Sequence, residues 1–156
     1  MTYVPNAMGI LDALLGLKVE RAAAALPSST LGNIFTVSGG RVAITAVVGE
    51  VTTVLGAGAN SLTIGYAPTV GAGDPTVLGA GAVSLLTAPV GTHIGSNAGG
   101  DVFVDLATQA GVAVPDSPLW VDAGSVTITT TGTVTGSVKW TCCYIPIDSA
   151  ATVAAA

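Results

Sequence analysis

Charge is the scarcest property of this sequence. Only 8% of its 156 residues are charged, against about 25% in an average soluble protein. So few charges leave little to keep a free monomer soluble, which predicts self-association or docking on a larger assembly. They also leave few titratable groups for chemistry, so we do not expect an enzyme.

Basic residues are especially few. The chain has 4 Lys and Arg against 9 Asp and Glu, with a sequence pI of about 4.3. A surface with this balance repels phosphate, so we do not expect nucleic acid as a partner. Disorder is not expected either, because a chain with 50% hydrophobic residues does not stay unpacked in water.

Long uninterrupted apolar runs are also missing. Residues 51–73 and 75–100 carry no charge, but glycines interrupt both ranges, as do Pro68, Pro75 and Pro89. A membrane-spanning helix needs about 20 consecutive apolar residues of helical character. The sequence therefore predicts no membrane partner.

Cysteine and histidine are nearly absent. Cys142 and Cys143 are adjacent, so on a strand they would point to opposite faces and not form a disulfide. Any catalytic or metal site that needs histidine has to use His93, and its surroundings, Gly91–Gly95, predict a loop without a catalytic motif. No metal or cofactor is expected.

Two further patterns have a chemical and a structural interpretation. Asp101 and Asp105 flank an apolar triplet, as paired catalytic or calcium-binding carboxylates do, or as the solvated edge of an element does. The Gly-Ala-Gly loops lack the sequence context of a phosphate-binding loop, so they predict turns.

The first 27 residues follow a helical period. An apolar residue recurs every three or four positions: Met8, Leu11, Leu15, Val19 and Ala22. This spacing predicts one apolar stripe of a helix, and Pro27 ends it. Gly9 and Gly16 weaken such a helix by about 1 kcal/mol each relative to Ala. We therefore expect it to dock on its own β domain or on a neighbouring subunit.

From Leu31 onward the apolar period is two. Gly39-Gly40 lies between two such runs and predicts a β-hairpin, and Gly49-Glu50 predicts another turn before a strand at Val51–Leu55. Frequent short strands predict a mainly β fold: an antiparallel β-sandwich or barrel-like domain with one N-terminal α-helix. The expected division is an N-terminal arm or helix at 1–27 and a single β domain at 28–156.

A seven-residue segment occurs twice. Thr53–Ala59 recurs identically as Thr76–Ala82. A duplicated hairpin, with a strand, a Gly-Ala-Gly turn and a returning strand, explains this repeat. Chance within a low-complexity sequence is the alternative.

Large apolar residues are the candidate contacts with a partner. The weak helix needs a docking surface, and the scarce tryptophans are typical core or interface anchors. The candidate contacts with a larger assembly or another subunit are Met8, Leu11, Leu15, Val19, Trp120 and Trp140.

Segments at both ends of the chain resemble a family of small virion proteins of tailed bacteriophages. They are Glu20–Pro27, Leu31–Val42, Val48–Thr53, Gly136–Thr141 and Tyr144–Asp148. Residues 56–125 carry no such likeness.

This resemblance implies a structural role without catalytic residues. The expected function is that of a capsid decoration, or cement, protein that binds the outer capsid surface and stabilises the phage head. It implies the major capsid protein as partner, a homotrimer, and a virion location after synthesis in the host cytoplasm. The alternatives are a tail or fibre component that binds a receptor or carbohydrate, and a hydrolase that acts through His93.

Overall fold

The computed structural model describes residues 16–56, 61–69, 76–85, 87–96, 102–105 and 118–156. These residues contain eleven strands and no helix. In chain order the strands are β1 (Leu17–Ala24), β2 (Leu31–Ser38), β3 (Val42–Thr53), β4 (Ser61–Pro68), β5 (Thr76–Ser84), β6 (His93–Ser96), β7 (Val102–Asp105), β8 (Leu119–Val121), β9 (Gly124–Thr130), β10 (Ser137–Pro146) and β11 (Thr152–Ala155).

The strands form two sheets. Sheet A has the order β1-β10-β3-β6-β7, and β8 also pairs with β3. Sheet B has the order β11-β2-β9-β4-β5. All pairings between described strands are antiparallel, which confirms the prediction of a mainly β, antiparallel fold.

One hydrophobic core lies between the sheets. Trp140 and Tyr144 enter it from sheet A, and Phe35, Ile64 and Val126 enter it from sheet B. Burying a large apolar side chain contributes about 1.5–3 kcal/mol, so this cluster is the main stabilising element. Because it draws on the inner faces of both sheets, the sheets pack face to face in a β-sandwich-like arrangement.

The edge strands of the two sheets lie beside each other. β1 of sheet A is close to β11 of sheet B, and β7 is close to β5. At the first edge Arg21 Nε donates a hydrogen bond to the backbone oxygen of Ala156, at 2.8 Å. The amide of Ala156 donates to the oxygen of Ile34 at 3.1 Å. These contacts fasten β1 to the last residue beyond β11.

The prediction of an N-terminal helix is wrong for the part of that segment that is described. Leu17–Ala24 is β1, paired with β10. Val19 packs against the core while Lys18 and Glu20 are exposed, so the side chains follow a strand period. Pairing with sheet A outweighs the helix preference of alanine, which is at most about 0.7 kcal/mol per residue over ordinary residues. The rest of the predicted stripe lies outside the described residues: Met8, Leu11 and Leu15.

Two of the predicted turns are also corrected. Gly39 and Gly40 do form a turn, with φ of 75° and 140°, but β2 and β3 belong to different sheets, so no hairpin forms there. No turn occurs at Gly49-Glu50, because β3 is continuous from Val42 to Thr53. A Cβ at Gly49 would lie 2.9 Å from Trp140 Cζ3. That glycine is needed for ring packing rather than for chain reversal.

The repeated segment does not form two equivalent hairpins. Its second copy lies within β5, which runs without a turn from Thr76 to Ser84 and pairs with β4. In the first copy β3 ends at Thr53, and the following residues, 54–56, are not in a strand. Residues 57–59 lie outside the described ranges. Identical sequences therefore have different backbone structures, which contradicts the hairpin interpretation.

Candidate docking surfaces

Charge is confined to one of the two sheets. The five strands of sheet B contain no Asp, Glu, Lys or Arg. In sheet A, charged residues occur on β1, β3, β7 and β10. The turns between the sheets add Arg41, Asp122 and Asp148. The few charged residues of the described strands are thus distributed unequally, with all of them in sheet A.

The outer face of sheet B is lined with hydroxyl groups. Val126 and Ile128 of β9 point into the core, and side chains alternate along a strand, so the residues between and beside them point outward. Strand pairing places Thr36 opposite Ser125 and Thr63 opposite Thr129. We call this surface the hydroxyl face: Thr36, Thr63, Ser125 and Thr129. Thr127, which lies between Ser125 and Thr129 on β9, is only 2% exposed and is not part of it.

One half of the outer face of sheet A is charged. Glu20 Oε1 accepts hydrogen bonds from Lys139 Nζ at 3.1 Å and from Lys18 Nζ at 3.3 Å. These two bonds, first that of Lys139, lower the pKa of Glu20. Glu50 lies opposite Lys139 in register, but the ion pair of Lys139 is with Glu20. Because the pairs are exposed, they contribute little to stability.

The other half of that face is apolar. Ile145, Ala43 and Trp120 form one row across β10, β3 and β8. Their neighbours in sequence, such as Ile44 and Tyr144, belong to the core, so the row itself points outward. Trp120 is 66% exposed. The next row adds Cys143 opposite Ala46. We call this surface the Trp120 patch: Ala43, Ala46, Trp120, Cys143 and Ile145.

A charged corner joins the turn before β3 to the turn after β10. Arg41 donates from Nη2 to Asp148 Oδ1 at 3.0 Å and from Nε to Oδ2 at 3.1 Å. The amide of Arg41 donates to the same Oδ2 at 2.8 Å. Hydrogen bonds from the Arg41 side chain, and next from its amide, lower the pKa of Asp148 to about 2. Sequence reasoning missed this pair, because 107 residues separate its members.

The predicted contact residues have different positions in the structure. Val19 is half-buried on β1 and packs against the core. Trp140 is completely buried, so it is a core anchor rather than an exposed contact of this chain. Trp120 is the exposed tryptophan, at the β8 end of the Trp120 patch. The structure does not describe the other three, Met8, Leu11 and Leu15.

The candidates for chemistry lie mostly on sheet A. His93 begins β6, which corrects the predicted loop, and it lies in register opposite Glu50 and Asp105. Asp101 lies outside the described residues. In the part of the chain that the structure describes, no three His, Cys, Asp or Glu residues form a metal-binding group.

The two cysteines are free and lie on opposite faces of β10, as predicted. Burial, and next the neighbouring Cys143, raise the pKa of Cys142 to about 12. Its thiol therefore stays protonated at neutral pH and is a poor nucleophile.

Searches for relatives give no positive result. No protein-family model, curated protein or solved structure matches this chain. Within the described ranges there is no helix long and apolar enough to cross a membrane.

Proposed function

We propose that this protein decorates the outer surface of a tailed-phage capsid, where it binds the major capsid protein and strengthens the shell. The observation that carries this proposal is the hydroxyl face, on a sheet whose five strands have no charged residue. The resemblance of both chain ends to small phage virion proteins supports the same role.

An uncharged face is suited to being covered. Removing an unpaired charge from water costs several kcal/mol, whereas a hydroxyl group that finds a partner across an interface costs little. The hydroxyl face, for example Thr63 opposite Thr129, presents groups that donate and accept without charge. Such a surface can adapt to a protein shell without strict charge matching.

Binding of this kind stabilises the shell by mass action. A protein that binds only the mature form of a shell shifts the equilibrium toward that form by its binding free energy. Repetition over many copies multiplies the effect. We further propose a homotrimer, because a trimer can bridge capsid subunits around a three-fold axis.

The direct test mixes the purified protein with capsids that lack it and measures co-sedimentation and electron-microscopic density. Thr129→Lys places a charge on the hydroxyl face, and Thr141→Lys places the same charge on the outer face of sheet A. Both threonines are half-buried strand residues, so the variants are matched.

We expect bound density on the outer surface, a large loss of binding for Thr129→Lys and little loss for Thr141→Lys. Equal binding by all three proteins would contradict the assignment to the hydroxyl face. Failure of the parent protein to bind any capsid would contradict the proposed function. Light scattering of the free protein tests the trimer.

A second candidate function is favoured by Trp120. An exposed tryptophan on the outer face of a sheet, 66% accessible, offers the apolar surface on which a sugar ring stacks. A tail or fibre component that binds carbohydrate would have such a residue. Glycan-array binding that Trp120→Ala abolishes, together with no binding to empty capsids, would favour this alternative.

A further inference from the structure

One end of the sandwich consists of loops that carry no charge. These loops precede β2, follow β3, precede β6 and join β9 to β10. We call this surface the uncharged end: residues 25–30, 54–56, 87–92 and 131–136, none of which is Asp, Glu, Lys or Arg. At the opposite end of the sheets, the described turns contain Arg41, Asp122 and Asp148. The two ends of the sandwich therefore differ in charge, as the two sheets do.

Backbone hydrogen bonds hold these loops together. The amide of Leu55 donates to the oxygen of Ala88 at 3.0 Å, and the amide of the following residue donates to the oxygen of Thr135 at 3.1 Å. The amide of Ser29 donates to the oxygen of Gly132 at 2.9 Å. Each loop is thus fastened to a neighbouring loop, so little ordering is needed when a partner covers this end.

Exposed apolar side chains lie at the uncharged end. Val54 and Val90 are 52% and 51% exposed, and Pro89, beside Val90, is exposed as well. The amide of Gly91 donates to the oxygen of Val51 at 2.9 Å. This bond and the first of those above keep the two segments side by side, so the exposed apolar residues are neighbours. Apolar residues in uncharged surroundings are typical of the covered centre of a protein interface.

Symmetry makes the absence of charge decisive where identical copies meet. In a ring of identical copies, a residue beside the axis faces the same residue of the neighbouring copies. A charged residue there would meet like charges, which is strongly unfavourable. Each copy also has a net charge of −5, so copies meet more easily through a surface that carries none of it. The uncharged end satisfies both conditions.

We propose that copies of this chain meet through the uncharged end, with Val54 and Val90 beside the symmetry axis. This inference rests on the proposed trimer and not on capsid binding, because it names the surface that lies at the three-fold axis. The hydroxyl face then stays free in every copy to bind the shell.

Light scattering of the full-length protein over a concentration series tests this surface. Val54→Asp places a charge beside the axis in every copy. Leu17→Asp, at a 54% exposed leucine that begins β1 near the opposite end, is the matched control. We expect Val54→Asp to need about tenfold more protein for half-assembly, and Leu17→Asp to assemble like the parent. Circular dichroism verifies that both variants are folded.

A mixture of opposite charges distinguishes a second copy from any other occupant. Val54→Lys alone should assemble as poorly as Val54→Asp, since like charges again meet. An equimolar mixture of the two variants should regain assembly, because opposite charges then lie beside the axis. No gain in the mixture would overturn the proposal, because this valine would then not face its own copies.

Other results would assign the uncharged end differently. Assembly of Val54→Asp like that of the parent would overturn this proposal and leave the trimer standing. If that variant assembled normally but lost binding to capsids, the capsid protein would be the occupant instead. Loss of assembly in Leu17→Asp alone would place the interface at the opposite end. A parent that stays monomeric at every concentration would overturn the trimer and this inference together, whereas capsid binding is judged by co-sedimentation.

Discussion

The Arg41 guanidinium binds Asp148 at two points, and the Arg41 amide adds a third hydrogen bond. The amides of Ile147 and Asp148 in turn donate to the Arg41 oxygen at 2.9 and 3.3 Å. Five hydrogen bonds among Arg41, Ile147 and Asp148 thus hold the turn from β2 to β3 against the turn from β10 to β11. A pair with this geometry is more than an ordinary surface ion pair, because it fixes the backbone as well.

The corner predicts a specific acid sensitivity. The pKa of Asp148 is lowered from 3.8 to about 2, so its contribution to stability is fully present above 3.8 and is lost as the pH falls through about 2. We expect the melting temperature of the parent to fall over this range by more than that of Asp148→Asn, which lacks the titrating group. Calorimetry at a series of pH values measures this. Asp122→Asn is the control: it keeps the carboxylate of Asp148, so its melting temperature should follow that of the parent across the pH series. If Asp148→Asn followed the parent more closely than Asp122→Asn did, the assignment to Asp148 would be contradicted.

Gly49 predicts a packing defect of known direction. In Gly49→Ala the new methyl group would lie 2.9 Å from Trp140 Cζ3 and 3.0 Å from Val138 Cγ1. Overpacking of this kind costs about 1–3 kcal/mol, which denaturant unfolding measures. Trp140→Phe removes the crowding ring atoms, so a double-mutant cycle should show a smaller cost of Gly49→Ala in that background. Additive costs would mean that the ring is not the obstacle.

Among the elements, β1 shows best where sequence patterns mislead. The spacing of Leu15, Val19 and Ala22 is typical of a helix, yet Val19 alternates with Lys18 and Glu20 in a strand. A local pattern does not show that β10 offers an unpaired edge to this segment. β10 itself was predictable, because Val138, Trp140 and Tyr144 alternate with polar residues and are all buried.

Gly16→Ala distinguishes the strand from the helix by the sign of its effect. In a helix, replacing glycine by alanine would stabilise by about 1 kcal/mol. In the strand arrangement the positive φ and the Tyr144 oxygen, 2.2 Å from an added Cβ, make the same change unfavourable. We therefore expect a lower melting temperature and faster amide exchange in β1 and β10. A stabilised variant would contradict the position of β1.

The order of the strands could not be predicted from sequence patterns, for a related reason. β2 and β3 are joined by the Gly39-Gly40 turn that a hairpin also has, but they pack into opposite sheets. Likewise, the Gly-Ala-Gly segment of β5 predicts a turn. It does not form one, because pairing with β4 holds those residues extended. In both cases long-range pairing, which one sequence does not display, decides the structure.

At the scale of the whole molecule, the candidate surfaces were only partly predictable. The low charge content predicted that some surface would be covered, but it did not indicate which face of the fold carries the hydroxyl groups. The Trp120 patch depends on Ile145 and Trp120 meeting across β3. These two residues are 25 positions apart in the sequence, so their proximity could not be predicted without knowledge of the strand pairing.

The charge asymmetry predicts a pH dependence of association. The net charge is −5 at pH 7 and falls to zero near the pI of about 4.3. Since the strands of sheet B contain no Asp, Glu, Lys or Arg, we expect light scattering to show more association as the pH approaches 4.3. Thr63→Glu/Thr129→Glu should reduce association at pH 7, while Thr141→Glu on sheet A should not. Equal behaviour of the two variants would contradict a role for the hydroxyl face.

The adjacency of the edge strands has a consequence for how copies can join. A β-rich chain with few charges is at risk of open-ended polymerisation, in which bare strand edges recruit further strands. Here β1 lies beside β11, and β5 lies beside β7, so these four edge strands each have a neighbour from the opposite sheet. Strand addition at these two pairs of edges is thereby hindered, which leaves the broad faces of the sheets and the loops at their ends as the surfaces through which copies can meet.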